Sequence, residues 1–237
     1  MTKRKNTPGF KDHRFPPEII EHAVWLYFRF SLSLRDVEDL LAERGVVVSH
    51  ETVRFWVTKF GRQYAKSIRR DRPQVGDKWH LDEVVIGVQG KKHWLWRAVD
   101  QNGNSLDILV QSRRNKQAAK RFMRKLMKRY GVLRVMITDK LRSYGAAKRE
   151  LAPGLEHRSR KGLNNRAEVS HKLTRKRERV MGRFKSLRHA QQFLSAHDQI
   201  NVLFRPSRHR LSAISYRQAR SDAFAVWNDI TREIAAG

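Results

Sequence analysis

Three carboxylates lie where a charged side chain is costly or where an α/β sheet places its sites. Asp82 stands inside an apolar run over residues 79–89, Asp139 ends a second apolar run, and Glu168 opens a predicted long helix. A buried carboxylate without a partner is costly, so a bound cation would explain these positions. Carboxylates from separate elements can hold two Mg²⁺ ions about 4 Å apart, an arrangement that supports phosphoryl transfer. The alternatives are a salt bridge for Asp82, a turn or cap for Asp139 and a favourable first-turn position for Glu168.

Side-chain direction predicts the roles of the residues near these acids. Glu83 follows Asp82 directly, and because successive strand residues point to opposite faces of a sheet, we interpret Glu83 as structural. Helical spacing places three basic residues on the face of Glu168, where a DNA phosphate would lie beside bound metals. These residues are His171, Lys172 and Arg175. The alternative for them is a solvated basic helix.

The composition indicates a polyanionic partner. The 237 residues include 51 Lys plus Arg against 23 Asp plus Glu, which gives a formal net charge of +28. Such an excess favours nucleic acid, whereas an enzyme for small neutral substrates gains nothing from it. The hydrophobic fraction of 40% argues against disorder. There is no cysteine and no apolar run of the roughly 20 residues that span a bilayer, so we expect an intracellular protein without a membrane partner.

The segment over residues 16–72 has helical patterns only. Ser33 begins a capping-box pattern, and Ser49 is the next N-cap candidate before another helical apolar stripe. Helix, short turn and helix together predict a helix-turn-helix, which commonly reads the major groove of DNA. Arg54 and Lys59 lie on its exposed side as candidate contacts to bases or phosphates. Any small three-helix packing would give the same pattern.

Strands and helices alternate after a linker near residues 71–77. The predicted order is three strands, a helix, a strand, a helix, a strand and a helix, which is the order of a ribonuclease H-like domain. We therefore predict an α/β fold, a mixed sheet with flanking helices, preceded by an all-α helix-turn-helix domain. The predicted divisions are a flexible basic arm over 1–14, the helix-turn-helix domain over 15–72, the ribonuclease H-like catalytic domain over 73–205 and a helical tail over 206–237.

Several separate motifs together resemble one known family. They are WHLDE (79–83), WLWRAVD (94–100), SRRNKQAAKRF (112–122), ITDKLRSYG (137–145), EHR (156–158) and NNRAEVSHK (164–172). In this order they resemble the bacterial DDE transposases, with the insertion-sequence-six family as the closest match. The resemblance implies that Asp82, Asp139 and Glu168 form a catalytic triad that binds two Mg²⁺ ions, for which Mn²⁺ would substitute. It also implies that Arg175 is the basic residue that these enzymes usually carry seven positions after the glutamate.

Two features depart from the family pattern. The interval between Asp139 and Glu168 holds 28 residues, fewer than is usual, and KLRSYG follows Asp139 where relatives often have a proline and a small residue. Glu178, with Lys185 seven residues on, is the competing third acid, although it lacks the NNRAE context.

The resemblance implies the transposase of an insertion sequence. Such an enzyme would bind terminal inverted repeats, cleave a strand with Mg²⁺ and transfer the exposed 3′-OH to target DNA. We expect it to act as a homo-oligomer on double-stranded DNA, in the bacterial cytoplasm and associated with the nucleoid. Residues 113–129 carry nine basic residues and no acid, which predicts a track for DNA or an ordinary solvated face. The alternative function is a non-catalytic helix-turn-helix DNA-binding protein, either a decayed transposase or a repressor; an RNA-binding protein explains the acids less well.

Overall fold

The chain divides into two units that differ in secondary structure. The computed structural model describes residues 10, 13–72, 74–139, 141–159, 174–182, 184–206 and 211–236. One unit comprises Met1–Asp71 together with Ala196–Gly237, and the other comprises Arg72–Ser195. The first consists of helices, and the second contains the sheet.

Three helices at the start of the chain follow the predicted order. They are α1 (Pro17–Arg29), α2 (Leu34–Ala42) and α3 (His50–Arg70). Ser33 and Asp36 form a reciprocal capping box at the start of α2, and the Ser49 hydroxyl accepts a hydrogen bond from the Thr52 backbone N–H at the start of α3. These caps satisfy backbone donors that the first turn of a helix leaves without partners. α1 and α2 both pack against α3.

The second unit is built on one five-stranded mixed sheet. Its strands are β1 (Lys78–Val88), β2 (Lys91–Asp100), β3 (Ser105–Gln111), β4 (Val135–Thr138) and β5 (Glu156–Arg158). Their spatial order is β3-β2-β1-β4-β5. β1, β2 and β3 pair in antiparallel fashion, whereas β4 runs parallel to both β1 and β5. This order and these directions are those of a ribonuclease H-like sheet, so the predicted fold class is confirmed.

Helices connect the parallel strands and cover the sheet. α4 (Lys116–Tyr130) precedes β4, and α5 (Arg142–Leu151) lies between β4 and β5, as crossover connections require. The apolar face of α4 packs into the core beside Trp79, Leu81 and Trp96 of the sheet. Residues 174–180 are helical (α6), and α7 (Leu187–Leu203) follows.

The C-terminal helix, α8 (Ala213–Ala235), belongs to the first unit. Its Trp227 ring stacks on the Tyr64 ring of α3 with centroids 3.8 Å apart, and Tyr64 Oη lies 2.5 Å from Thr231 Oγ1. The buried residues of α8 recur at helical spacing: Ala223, Trp227, Ile230, Thr231 and Ile234. The predicted helical tail over 206–237 contains α8, whose apolar side chains are buried within the unit that also holds the N-terminal helices.

Candidate active site

Asp82 and Asp139 meet because β1 and β4 are parallel neighbours. The last pair in their register is Leu81 with Thr138, so the two aspartates are the next residue on each strand. Carboxyl ends of parallel strands lie at one edge of a sheet, where α/β proteins place their sites. Asp82, Glu83 and Asp139 each offer a carboxylate oxygen there, and these three oxygens lie within 4.8 Å of one another. We call these three residues the acid cluster.

Glu83 joins the acid cluster although it leaves the strand on the other face. It pairs directly with Trp96 across β1 and β2, on the side of the main core, as strand alternation predicts. β4 ends at Thr138, so no β4 residue pairs with β1 beyond Leu81. The Glu83 carboxylate can therefore reach the same edge as Asp82. Alternation alone predicted a structural role and missed this proximity.

Among the described residues, Arg114 places a cation against Glu83 and Asp139 of the acid cluster. Its Nε and Nη2 donate hydrogen bonds of 2.7 Å and 2.5 Å to Glu83 Oε1, and its Nη2 lies 3.6 Å from Asp139 Oδ2. The guanidinium carbon also lies 4.9 Å from the centroid of the Trp94 ring, a cation–π distance. The sequence carries no signal for this contact, because Arg114 stands in a loop 31 residues after Glu83.

Burial and neighbouring carboxylates perturb the titratable groups at the acid cluster. Burial, and then the charge of Asp139, raise the pKa of Glu83 to about 7, although its bond to Arg114 opposes this rise. Burial also raises the pKa of Tyr144 well above its ordinary value, and the charges of Glu83 and Asp82 add to the effect. Three carboxylates around one point are an all-oxygen donor set, which suits a hard divalent cation such as Mg²⁺ or Mn²⁺.

A short chain of hydrogen bonds orients Asp139. Its Oδ1 accepts a hydrogen bond of 3.0 Å from the Leu141 backbone N–H. The Thr138 hydroxyl donates to the Asp139 backbone carbonyl at 2.7 Å and lies 2.8 Å from His157 Nε2 on β5. β5, which carries the EHR motif, thus supports Asp139 indirectly, through the contact between His157 and Thr138. These contacts leave the Asp139 side chain 39% exposed, so its carboxylate is open to an ion from solvent.

The predicted residues around the third acid are only partly described. Glu168, His171 and Lys172 lie outside the described residues, whereas Arg175 is exposed on α6. Glu178, the competing third acid, accepts a hydrogen bond of 2.6 Å from the Gly87 backbone N–H. Gly87 lies five residues beyond Asp82 along β1, a separation of about 16 Å. Glu178 is therefore far from the acid cluster.

Thr174, the first described residue of α6, lies near the position of Asp82 along β1. Arg97 stands directly opposite Asp82 in the antiparallel pair of β1 and β2, and its side chain is almost fully buried. Its Nη2 donates a hydrogen bond of 2.9 Å to Thr174 Oγ1. Directly opposite residues share one face of a sheet, so Thr174 approaches the face of Asp82. α6 then runs along β1 from Thr174 to Glu178, towards Gly87.

Arg54 and Lys59, which the sequence analysis proposes as DNA contacts, both lie on α3. Arg54 is exposed and forms an ion pair with Glu51 at 3.2 Å. Lys59 Nζ lies 2.8 Å from His13 Nε2 and 5.0 Å from the centroid of the Phe60 ring. His13, which the sequence assigned to a flexible arm, packs on α3 in this way. Arg54 is therefore the more accessible of the two side chains.

The basic residues of α4 are largely engaged within their own unit. Lys125 and Arg129 form ion pairs with the buried Asp107, at 2.9 Å and 2.6 Å, and Lys116 and Lys120 pair with Glu150. Acids distant in sequence thus pair with five of the nine basic residues over 113–129. The members with no ion pair or hydrogen bond to a described residue are Arg113, Arg124 and Lys128.

No helix in the described part of the chain combines the length and the apolar character that a membrane crossing needs.

The family model and several curated relatives that match this chain indicate transposases. A family model described as the DDE domain, of the IS240 type of transposase, matches residues 76–207. The transposase of the insertion sequence-like element IS431mec from Staphylococcus aureus strain N315 is 30% identical over 212 residues, which cover 87% of this chain and 93% of that protein. The transposase of element IS257 in transposon Tn4003, also from Staphylococcus aureus, is 30% identical with the same coverage.

Among solved structures, the catalytic core domain of HTLV-2 integrase in complex with magnesium has a TM-score of 0.41 at 11% identity, over 56% of this chain and 88% of that one. The family model spans more than half of the chain, and its match contains both aspartates of the acid cluster. The chain therefore belongs to the DDE transposases of the insertion-sequence-six family.

Proposed function

We propose that this protein is the transposase of an insertion sequence and that Asp82, Asp139 and Glu168 are its catalytic triad. It binds the terminal inverted repeats of the element, cleaves one strand at each end and joins the exposed 3′-OH to target DNA. The observation that carries this proposal is the meeting of Asp82 and Asp139 where the parallel pairing of β1 and β4 ends, in a family of transposases.

The acid cluster supports a divalent-cation site. Its donors are all carboxylate oxygens, and Asp139 remains open to solvent while Asp82 and Glu83 are buried. Two Mg²⁺ ions, or Mn²⁺ in their place, would activate the attacking oxygen and stabilise the leaving oxygen of a DNA phosphate. Asp82 and Asp139 would hold these ions, and Leu141 and Thr138 would keep Asp139 oriented for that purpose.

The position of α6, and the short stretch of chain that joins Glu168 to Thr174, favour Glu168 as the third acid. Thr174 lies beside the residue opposite Asp82, and six residues of chain can span up to about 20 Å, so a carboxylate at position 168 can reach the acid cluster. Glu178 is held at Gly87, about 16 Å away along β1, so it cannot serve there.

The helical unit is proposed to hold the element ends. Arg54 on α3 would contact the major groove, and Lys59 would contribute charge beside it. His171, Lys172 and Arg175 would bind phosphates near the acids. Because two element ends must be brought together, we propose a homo-oligomer on double-stranded DNA, acting in the bacterial cytoplasm at the nucleoid.

The test is strand transfer on DNA that carries an element end, in Mg²⁺ or Mn²⁺. Glu168→Gln is expected to abolish strand transfer while end binding persists, since the variant removes a metal ligand and keeps the side-chain shape. Glu178→Gln is the matched control, and it should retain strand transfer because its amide oxygen can still accept the Gly87 N–H. Loss of activity in Glu178→Gln with full activity in Glu168→Gln would reverse the assignment. A wild-type protein that binds ends but never nicks them would favour the non-catalytic DNA-binding function.

A further inference from the structure

Arg114 places a positive charge where a divalent cation would bind. Its guanidinium contacts two of the three members of the acid cluster, Glu83 and Asp139. A site with three carboxylates and no cation would suffer strong like-charge repulsion in a partly buried environment. Arg114 reduces that repulsion within the chain itself.

The two contacts of Arg114 differ in strength. Two nitrogens of the guanidinium donate to the same oxygen of Glu83 at hydrogen-bond distances, whereas the approach to Asp139 is 3.6 Å, which is beyond a hydrogen bond. Burial differs in the same sense, because the Glu83 side chain is 0% exposed and the Asp139 side chain is 39% exposed. A fully buried carboxylate needs a permanent partner, and a partly exposed one does not.

The position of Arg114 in the fold allows its side chain to respond without movement of the backbone. The next residue, Asn115, caps α4 through its side chain, which accepts a hydrogen bond from the Ala118 backbone N–H. The Trp94 ring lies along the guanidinium and keeps it near Glu83. The Arg114 side chain is itself 36% exposed, so a small rotation can move it away from Asp139.

We propose that Arg114 is the internal counter-cation of the acid cluster, a positioning residue that balances Glu83 and Asp139 in the metal-free protein and yields Asp139 to an arriving divalent cation. Glu83 keeps Arg114 attached during this exchange. The inference rests on the proposed function, because it takes the acid cluster to be a divalent-cation site. It gives Glu83 a defined task, which is to anchor the cation that the metal displaces.

Removal of the Arg114 charge separates this proposal from a purely structural role. Mn²⁺ binding is measured by titration calorimetry on the full chain without DNA. Arg114→Met retains the length of the side chain and removes its charge, and it is expected to bind Mn²⁺ at least about tenfold more tightly, since a competing positive charge is gone. In EDTA the same variant should unfold at a lower temperature, and Mn²⁺ should restore most of the loss.

Two further variants complete the design. Arg113→Met is the matched control, because Arg113 is exposed and has no ion pair with a described residue, and its Mn²⁺ affinity should equal that of wild type. The double variant Arg114→Met with Glu83→Gln removes one charge of each sign, so its Mn²⁺ affinity should return to within about threefold of wild type. If Arg114 served only to hold the local structure in place, Arg114→Met would bind Mn²⁺ more weakly and the double variant would show no recovery.

The outcomes also separate this inference from the proposed function. If wild type binds Mn²⁺ and Asp139→Asn abolishes that binding, the metal site stands. Unchanged or weaker Mn²⁺ binding by Arg114→Met would then overturn only the role of Arg114. If wild type binds no Mn²⁺, both proposals are overturned.

Discussion

Trp227→Ala tests whether the C-terminal helix is an integral part of the helical unit. Trp227 is 2% exposed, and it stacks on Tyr64 at 3.8 Å and contacts the Phe204 ring at 5.6 Å. The variant removes this ring from between α3 and the rest of the unit. If α8 were a dispensable tail, its loss would leave the N-terminal helices unaffected.

The expected loss follows from burial. Replacement of a fully buried tryptophan by alanine costs about 3–5 kcal/mol of unfolding free energy, of which the ring pair contributes about 0.5–1.5 kcal/mol. A total stability of about 5–15 kcal/mol makes this a large fraction. Because each kcal/mol lowers the midpoint by about 2–4 °C at this chain length, we expect a decrease of about 10 °C.

Urea unfolding followed by fluorescence measures this loss, and a gel-shift assay on element ends reports its consequence for α3. Val226→Ala is the control, since Val226 is the preceding residue and is 39% exposed, and it should change stability by less than about 1 kcal/mol. Tyr64→Ala combined with Trp227→Ala should lose less than the sum of the single changes, because both remove the same ring contact. An unfolding free energy for Trp227→Ala within about 1 kcal/mol of wild type would refute the grouping of α8 with α3.

Two further predictions concern the same unit. Ser33→Ala removes half of the capping box of α2 and should cost about 1 kcal/mol of unfolding free energy, which thermal unfolding would detect as a midpoint about 2–4 °C lower; an unchanged midpoint would argue against the cap. Burial raises the pKa of Glu21, although a hydrogen bond from Thr231 opposes the rise. The folded chain then holds the Glu21 proton more tightly than the unfolded chain, so this stabilisation is present below the ordinary pKa and is lost as the pH rises through the folded-state pKa. The unfolding free energy of Glu21→Gln relative to wild type should therefore increase as the pH rises through that range. A parallel pH dependence of the two proteins in urea unfolding would contradict this.

Local signals in the sequence were sufficient for the elements of the fold. The caps at Ser33, Ser49 and Asn115 act within three residues of chain, so the sequence alone predicts where α2, α3 and α4 begin. Strand patterns likewise predict the three antiparallel strands. The order of these elements then leads to the ribonuclease H-like sheet, since few topologies satisfy a crossover after a three-stranded meander.

The chemistry of the acid cluster depends on contacts that no local pattern contains. Asp82 and Asp139 could be identified because Asp82 stands inside one apolar strand and Asp139 directly follows another. Glu83 could not be placed, since its approach depends on where β4 stops pairing with β1, and Arg114 could not, since its partner is 31 residues away. Long-range pairing of charges is decided by the packed fold and not by spacing along the chain.

Contacts within the fold also take up part of the excess positive charge. Asp107 and Glu150 each form ion pairs with two basic residues of α4, so the charge of that helix is used partly for packing against the sheet and α5. Pairing within the chain nevertheless cannot remove the excess as a whole. Even if each of the 23 acids balanced one base, 51 − 23 = 28 basic residues would remain, and their mutual repulsion would oppose folding in the absence of a polyanion. The internal ion pairs therefore determine which basic residues are free to meet DNA, with Arg124 and Lys128 as the candidates on α4, and leave the need for DNA unchanged.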